Sequence, residues 1–399
     1  MEALRRILFL QGPVGPFIKL LSQHLIKTKK VIAHQITFNG GDDWFANKNI
    51  ATPYTGKPKE WNSYLSAFVD KHNITDVIVF GDCRFYHREA KKVVERKKLS
   101  FWAFEEGYLR PSYITLEKEG VNGNSLFDAE VLQSFEANSK SEVQPLQLKH
   151  TYINMAYWAS AYYFFKSIFS FKYKHYIHHR PWEESEELYS WMMSGAKKLK
   201  YKNNDAKLLS AVKNELSGQY FLAPLQVSVD SQILFHSPFR SVEEFIGVVV
   251  KSFAHNANEG DYLILKHHPM DRGFVNYTKY IKKLSYAYDV VDRVIYCHDT
   301  HLPTLLKNAK GTITVNSTVG ISSLHHSTPT KVMGKAIYDI NGVTSQKSLD
   351  DFWQSCCKPC PTTFAKFKAF LLEKSQIPGS FYRNPNITLH AVTEKMFNQ

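Results

Sequence analysis

YFLAPLQ (Tyr220–Gln226), YLILKHHP (Tyr262–Pro269) and GTITVNST (Gly311–Thr318) decide the fold of this chain. Each is a short apolar run that ends in polar residues and precedes a helical pattern. Apolar runs of roughly four to eight residues bounded by turn signals read as buried parallel strands. The first run leads to Asp230-Ser231-Gln232, the second to Asp271, Arg272 and Gly273, and the third to Val319-Gly320. In open α/β sheets ligands bind beyond the carboxyl ends of the strands. Asp230, His267, His268, Asn316, Ser317 and Thr318 are therefore expected to converge on one crevice, and their types suit an anionic ligand.

The same alternation extends outward. Helical patterns at Val242–His255 and Tyr277–Ala287, with strands at Val290–Tyr296 and Pro329–Met333, complete the second half. In the first half Arg5–Leu10 reads as a strand, then a turn containing Gly12 and Gly15, then a helix over Phe17–Ile26. That turn is not G-x-G-x-x-G. Its helix N-terminus suits an anion or sugar, and a plain tight turn explains the glycines equally well. Lys30–Phe38 reads as a strand ending in Asn39–Trp44, where Asp42 and Asp43 either face substrate or, the reading preferred, lie in a solvated loop. Asp76–Phe80 is a strand ending in Gly81, Asp82, Cys83 and Arg84, and Leu99–Phe104 one ending in Glu105-Glu106-Gly107-Tyr108-Leu109-Arg110-Pro111. A strand aims only one of two adjacent side chains at a cleft. One of Glu105 and Glu106 is thus expected to do acid/base work while the other bonds to backbone.

Strands alternating with helices imply βαβ units and parallel sheets. The expected class is α/β, with two Rossmann-like domains facing a central cleft in the manner of GT-B glycosyltransferases, a fold-level analogy. The expected boundaries are 1–205, 206–345 and a C-terminal set of helices, 346–399, packing back across both.

The 399 residues are ample for two cores, and 44% hydrophobic with 22% charged residues is ordinary for a globular protein. A net charge of +13 is not ordinary and points to an acidic partner. Five cysteines, odd and scattered, argue against a disulfide framework. Cys356, Cys357 and Cys360 lack the second pair a zinc site needs. The apolar run Ile7–Leu10 is too short for a signal peptide, and no uninterrupted apolar stretch is long enough to span a bilayer. The expected location is cytoplasmic. The stretch 151–182 interleaves aromatics (Tyr157, Trp158, Tyr162, Phe164, Phe165, Phe171) with Lys166, Lys172, Lys174, His175 and Arg180. That composition suits an anionic membrane surface, a core helix between domains, or stacking on single-stranded nucleic acid.

Two adjacent histidines in a strand point to opposite sides, so one of His267 and His268 is expected at the ligand, with Pro269 fixing the turn behind it. The Ser317 and Thr318 hydroxyls and the following helix N-terminus would cradle a phosphate, with Arg272, and Lys266 unless it points away, adding positive potential. Asp230 is as well placed for a helix N-cap as for a base or nucleophile.

FLQGPVGPF, VFGDCRFYHREA, FEEGYLRPSYITLEKEGVNGNS, PLQVSVDSQI, KHHPMDRG and TVNSTVGISSLHHSTPTKVMGKAIYDI together resemble the KpsS-type (LipB-like) capsule polysaccharide proteins. The matching blocks run in family order from the first strand to about Ile340. The resemblance implies a retaining β-Kdo transferase. It would move Kdo from CMP-Kdo to a (lyso)phosphatidylglycerol acceptor, starting the poly-Kdo linker of capsular polysaccharide. It implies Asp230 as nucleophile, Glu105 or Glu106 as base, His268 at the CMP phosphate, and Ser317 and Thr318 at the nucleotide; Pro269, Lys266, Asn316 and Gln226 complete the candidate CMP-sugar site. Candidate acceptor or Kdo contacts are Gly12, Gly15, Asp82, Arg84 and Arg110. A monophosphate leaving group requires no bridging metal, so no cofactor is expected. The implied partners are CMP-Kdo, the lipid acceptor, the cytoplasmic face of the inner membrane and other capsule assembly proteins, without nucleic acid. A sialyltransferase-like enzyme using another CMP-sugar and a non-catalytic export or lipid-binding factor are the alternatives.

Overall fold

The computed structural model describes residues 4–136, 151–178, 184–383 and 385–398. His179, Arg180 and Trp182 of the basic aromatic stretch lie outside the described residues. The chain divides into two units. One comprises Met1–Phe127, Glu136–His179 and Ala369–Gln399; the other comprises Asp128–Phe135 and Arg180–Lys368.

The first unit is built on β1 (Arg6–Phe9), β2 (Ile32–Thr37), β3 (Ala51–Pro53), β4 (Asp76–Phe80), β5 (Ser100–Glu106) and β6 (Tyr113–Lys118). The second holds β7 (Tyr220–Pro224), β8 (Tyr262–Lys266), β9 (Val294–Cys297), β10 (Gly311–Thr314) and β11 (Thr330–Val332), and β12 (Gln376–Pro378) returns to the first. The sheet orders are β12-β6-β5-β4-β1-β2-β3 and β11-β10-β7-β8-β9.

Strand periodicity explains why these runs read as continuously apolar. Ile7 and Phe9 enter one core layer while Leu8 and Leu10 enter the other. Phe221 and Ala223 likewise oppose Tyr220 and Leu222. Both faces of each sheet are covered, as parallel sheets require. These are two Rossmann-like, doubly wound α/β units.

Three details differ from the sequence reading. First, β5 runs on through Glu105 and Glu106, which pair antiparallel with Thr115 and Ile114 of β6. With β12 antiparallel to β6, the first sheet is mixed rather than parallel throughout. The β6 segment YITLEK sits inside a polar stretch, which hid its strand character. Second, Gly40–Phe45 is a short helix and Asp42 is buried, not solvated, because Asn39 caps the helix and turns Asp42 inward. Third, the division falls near residue 180 rather than 205. The helix Glu184–Ala211 is stitched to the second unit through Asp205, which accepts the His298 N–H at 3.1 Å, the Asp299 N–H at 2.9 Å and the Thr300 hydroxyl at 2.8 Å. The C-terminal segment also splits: Phe352 and Trp353 fill the second unit's core, whereas Leu389, Val392 and Met396 fill the first's.

Candidate functional site

In the second unit the chain lays β8 and β9 to one side of β7, then β10 and β11 to the other. The strand order reverses between β7 and β10, and that switch point is where such sheets bind ligands. Gln226 follows β7 and Asn316 follows β10, so they meet there. Gln226 Nε2 donates to Asn316 Oδ1 at 3.1 Å, and the Asn316 N–H donates back to Gln226 Oε1 at 3.2 Å. The same Nε2 donates to Asp230 Oδ2 at 2.9 Å. Asp230 Oδ1 accepts the Gln232 N–H at 2.9 Å and caps the helix Ser231–His236. The cap reading of Asp230 is therefore realised. It does not exhaust the carboxylate, whose two oxygens offer about four acceptor directions. Burial raises the Asp230 pKa, against the pull of the Gln226 and Gln232 bonds. Asn316 spends its remaining N–H groups on the carbonyls of Gln232 at 2.9 Å and His236 at 3.3 Å, so it acts as a bracket between strand end and helix.

His268 follows β8 and caps the short turn Pro269–Asp271, its Nδ1 accepting the Met270 N–H at 3.2 Å. With Nδ1 accepting, a neutral His268 ring carries its proton on Nε2. His267 points the other way into the core, with Nδ1 2.7 Å from the Tyr296 hydroxyl; burial, and then neighbouring His298, push its pKa down to about 3. Ser317 Oγ accepts the Val319 N–H at 3.2 Å, and Tyr338 donates to the Ser317 carbonyl. Tyr338 fits because residue 320 is glycine: a Cβ there would lie 2.3 Å from the phenol oxygen. Thr318 stays partly exposed beside Ser317.

Two residues expected at the ligand are corrected. Lys266 is buried and its amine donates to the His298 carbonyl at 2.9 Å, so it braces β9 instead of facing the crevice. Arg272 is buried and ion-paired with Asp299, which cancels the positive potential expected of it. Asp271, read only as a polar end of the second run, takes a role not foreseen: its carboxylate accepts the Ser228 N–H at 2.5 Å and so shapes the loop that carries Asp230. Its place two residues after Pro269 was the available signal.

The first unit has its own switch point, between β1 and β4. Gly12 lies there packed against Ile18, and Gly15 adopts φ +100° against the Trp158 ring, the tight-turn role weighed for both. Asp82 is corrected: it is buried and accepts the Val121 N–H and the Asn124 side-chain N–H, each at 3.0 Å, which fastens the loop over residues 119–124. Arg84 lies over the Phe80 ring, 5.2 Å from its centroid, and remains partly exposed. Arg110 is exposed, its Nε donating to the Gly107 carbonyl at 3.2 Å.

Glu105 and Glu106 diverge, as adjacent strand residues must. Glu106 Oε1 accepts the Tyr382 hydroxyl at 3.0 Å. Glu105 Oε1 accepts the Glu106 N–H at 2.9 Å, and its Oε2 lies 3.4 Å from the Asn122 side-chain nitrogen. Desolvation raises the Glu105 pKa to about 7, with the Glu106 and Asp82 charges adding to it and the Glu106 N–H and Arg110 opposing. A carboxyl poised there suits proton transfer near neutral pH. Asn122 was missed by the sequence reading; it adopts φ +54° and its N–H donates to the Tyr108 hydroxyl at 2.7 Å, so the loop geometry places it. Among the described residues no group of three or more His, Cys, Asp or Glu side chains gathers as metal ligands do.

The chain is 38% identical to Capsule polysaccharide export protein KpsS of Escherichia coli, over 95% of this chain and 97% of that one. It is 39% identical to Capsule polysaccharide modification protein LipB of Neisseria meningitidis serogroup A, over 96% and 93%. Among solved structures it aligns with Thermosulfurimonas dismutans KpsC, beta Kdo 2,7 transferase, at 11% identity over 87% and 88% of the two chains, with a TM-score of 0.40. A model of the family described as Capsule polysaccharide biosynthesis protein matches residues 75–382. With that match over most of the chain and two relatives aligned along nearly its whole length, this protein belongs to the capsule polysaccharide biosynthesis protein family.

Proposed function

We propose that the chain is a retaining β-Kdo transferase that moves Kdo from CMP-Kdo to a (lyso)phosphatidylglycerol acceptor and so starts the poly-Kdo linker of capsular polysaccharide. The observation that carries this reading is the switch-point constellation of the second unit. A desolvated Asp230 is held there by Gln226, with an Nε2–H donor on His268 and the Ser317 and Thr318 hydroxyls on neighbouring strand ends. The names of the relatives support a capsule polysaccharide role, and the choice of sugar and acceptor rests on the likeness of the motifs to KpsS-type proteins.

In this reading an Asp230 oxygen attacks the anomeric carbon and the bond to CMP breaks, the electron pair leaving with the phosphate. The lipid hydroxyl then attacks the same carbon, the Asp230–sugar bond breaks, and a base takes the hydroxyl proton, the role that the family resemblance implies for Glu105 or Glu106. Two inversions give net retention. Glu105 is preferred to Glu106 because its pKa lies near 7 while Glu106 is engaged by Tyr382. His268 donates to the departing phosphate. No metal is invoked, because a monophosphate leaves without a diphosphate to bridge. The protein works attached to the cytoplasmic face of the inner membrane, beside other capsule assembly proteins; no helix among the described residues is long and apolar enough to cross a membrane.

The test is to incubate the protein with CMP-Kdo and a fluorescent lysophosphatidylglycerol and weigh the product, following CMP release with and without EDTA. A Kdo adduct formed equally in EDTA is expected. Loss of activity in EDTA restored by magnesium refutes metal independence, and a preference for another CMP-sugar replaces the donor. The helix-cap role of Asp230 favours one second reading, a non-catalytic export factor. That reading predicts no CMP release and no defect from D230N.

A further inference from the structure

The helix Thr151–Ile168 has two unlike faces. Its inner face is locked to the first unit. Gly40 and Gly41 let it approach so closely that a Cβ at either would lie 2.3 Å from the Phe165 carbonyl oxygen or 2.6 Å from that of Tyr162. Tyr162 is buried; its hydroxyl donates to Asp42 at 2.7 Å and accepts from Asn39 at 2.8 Å and Gln11 at 2.9 Å. Gln11 and Asn39 follow β1 and β2, so the helix is tied to the strand ends themselves.

The outer face is apolar and exposed among the described residues. Ile153, Tyr157, Phe164 and Ile168, with Phe171 just beyond the helix, are each between 47% and 68% exposed. At roughly 100° per residue the four helical positions fall within about 60° of arc, opposite Tyr162. Trp44, half exposed, extends the patch by stacking on Phe165 at 3.6 Å. The rim is cationic. Lys172 and Lys48 share one partner, Asp43, at 2.9 Å and 3.5 Å, and Lys174 and His175 are exposed. Residues 151–182 contain no Asp or Glu.

We infer that this face is a docking surface for an anionic lipid bilayer, on which the helix lies in the plane of the interface. An apolar stripe edged by Trp, Tyr and Lys is what the headgroup boundary accepts. A second copy of the chain would bring like-charged rims together. An anionic surface instead matches the rim and the net charge of +13. The inference deepens the proposed function and rests on its lipid acceptor: the Tyr162–Asp42 lock would make membrane orientation a rigid property of the unit that carries Glu105.

The experiment is flotation of the full chain with phosphatidylcholine vesicles, with and without phosphatidylglycerol, in the absence of nucleotide sugar. Binding that requires phosphatidylglycerol and weakens with salt is expected, together with a blue shift of tryptophan emission that W44F diminishes. F164S/I168S, checked for unchanged circular dichroism and monodispersity, should lower partitioning about tenfold or more, since each ring or branched chain leaves water on docking. Wild-type binding by that variant overturns the inference. So does a wild-type dimer that the same changes dissociate. Transfer to a short-chain, monomeric acceptor is read separately on the wild type. If transfer proceeds and flotation fails, the surface is refuted and the function stands; the opposite pattern refutes the function alone.

Discussion

Replacing Glu105 with glutamine removes a charge that the fold resists. Desolvation moves this carboxyl from 4.5 to about 7. A raised carboxyl contributes stability that is fully present below the unfolded value and is lost as pH rises through the folded one. At about 1.4 kcal/mol per pH unit the whole effect is about 3 to 4 kcal/mol, most of which falls between pH 5 and pH 8. Glu105 keeps a partly exposed edge, so screening reduces the expectation to about 1–2 kcal/mol. Other groups titrate over this range, so the useful quantity is a double difference. Urea unfolding of wild type and E105Q at pH 5 and pH 8, with hydrogen exchange of the β4 and β5 amides to localise the change, should show E105Q gaining that amount relative to wild type on going to pH 8. The same variant should lose most transfer, while the wild-type rate rises with pH through about 7, as a base must be deprotonated to act. Equal pH slopes for the two proteins would refute the desolvated-carboxyl reasoning whatever the activity shows.

At Asp230, D230N keeps the cap but sets an amide N–H against the Gln226 donor, and D230A loses the cap, so each should cost about 1 kcal/mol; both should abolish CMP release from CMP-Kdo. H268A should weaken CMP binding about tenfold or more by calorimetry, the loss of one charge-assisted hydrogen bond. D42A leaves the Gln11, Asn39 and Tyr162 donors facing a void and should cost about 3 kcal/mol in thermal or urea unfolding, whereas D43A, at an exposed ion pair, should cost less than about 1.

Much of the architecture was legible in local pattern. The strand cores at Leu222, Ile264 and Ile313 follow from short apolar runs, because burial on both faces of a parallel sheet leaves no polar position inside the strand. Their polar ends marked Gln226, Asp230, His268 and Ser317 for the same reason: the chain must change character where it leaves the sheet. What local pattern could not carry was direction. Lys266 and Arg272 look like ligand-binding cations in a linear string, yet their partners, the His298 carbonyl and Asp299, lie on a neighbouring strand end far along the chain. Asp82 reads as a ligand contact and Asp42 as a loop residue, yet both are buried because distant donors, Asn124 and Tyr162, close over them. The division of labour between Glu105 and Glu106 was likewise decided by Asn122 and Tyr382, brought from far apart in the chain to opposite sides of one strand. Composition and periodicity therefore determined which segments are strands and where a site must open, since those depend on neighbours within a few residues. Which charges face that opening was left to the tertiary structure, because desolvation and hydrogen bonding depend on whatever folds against a side chain.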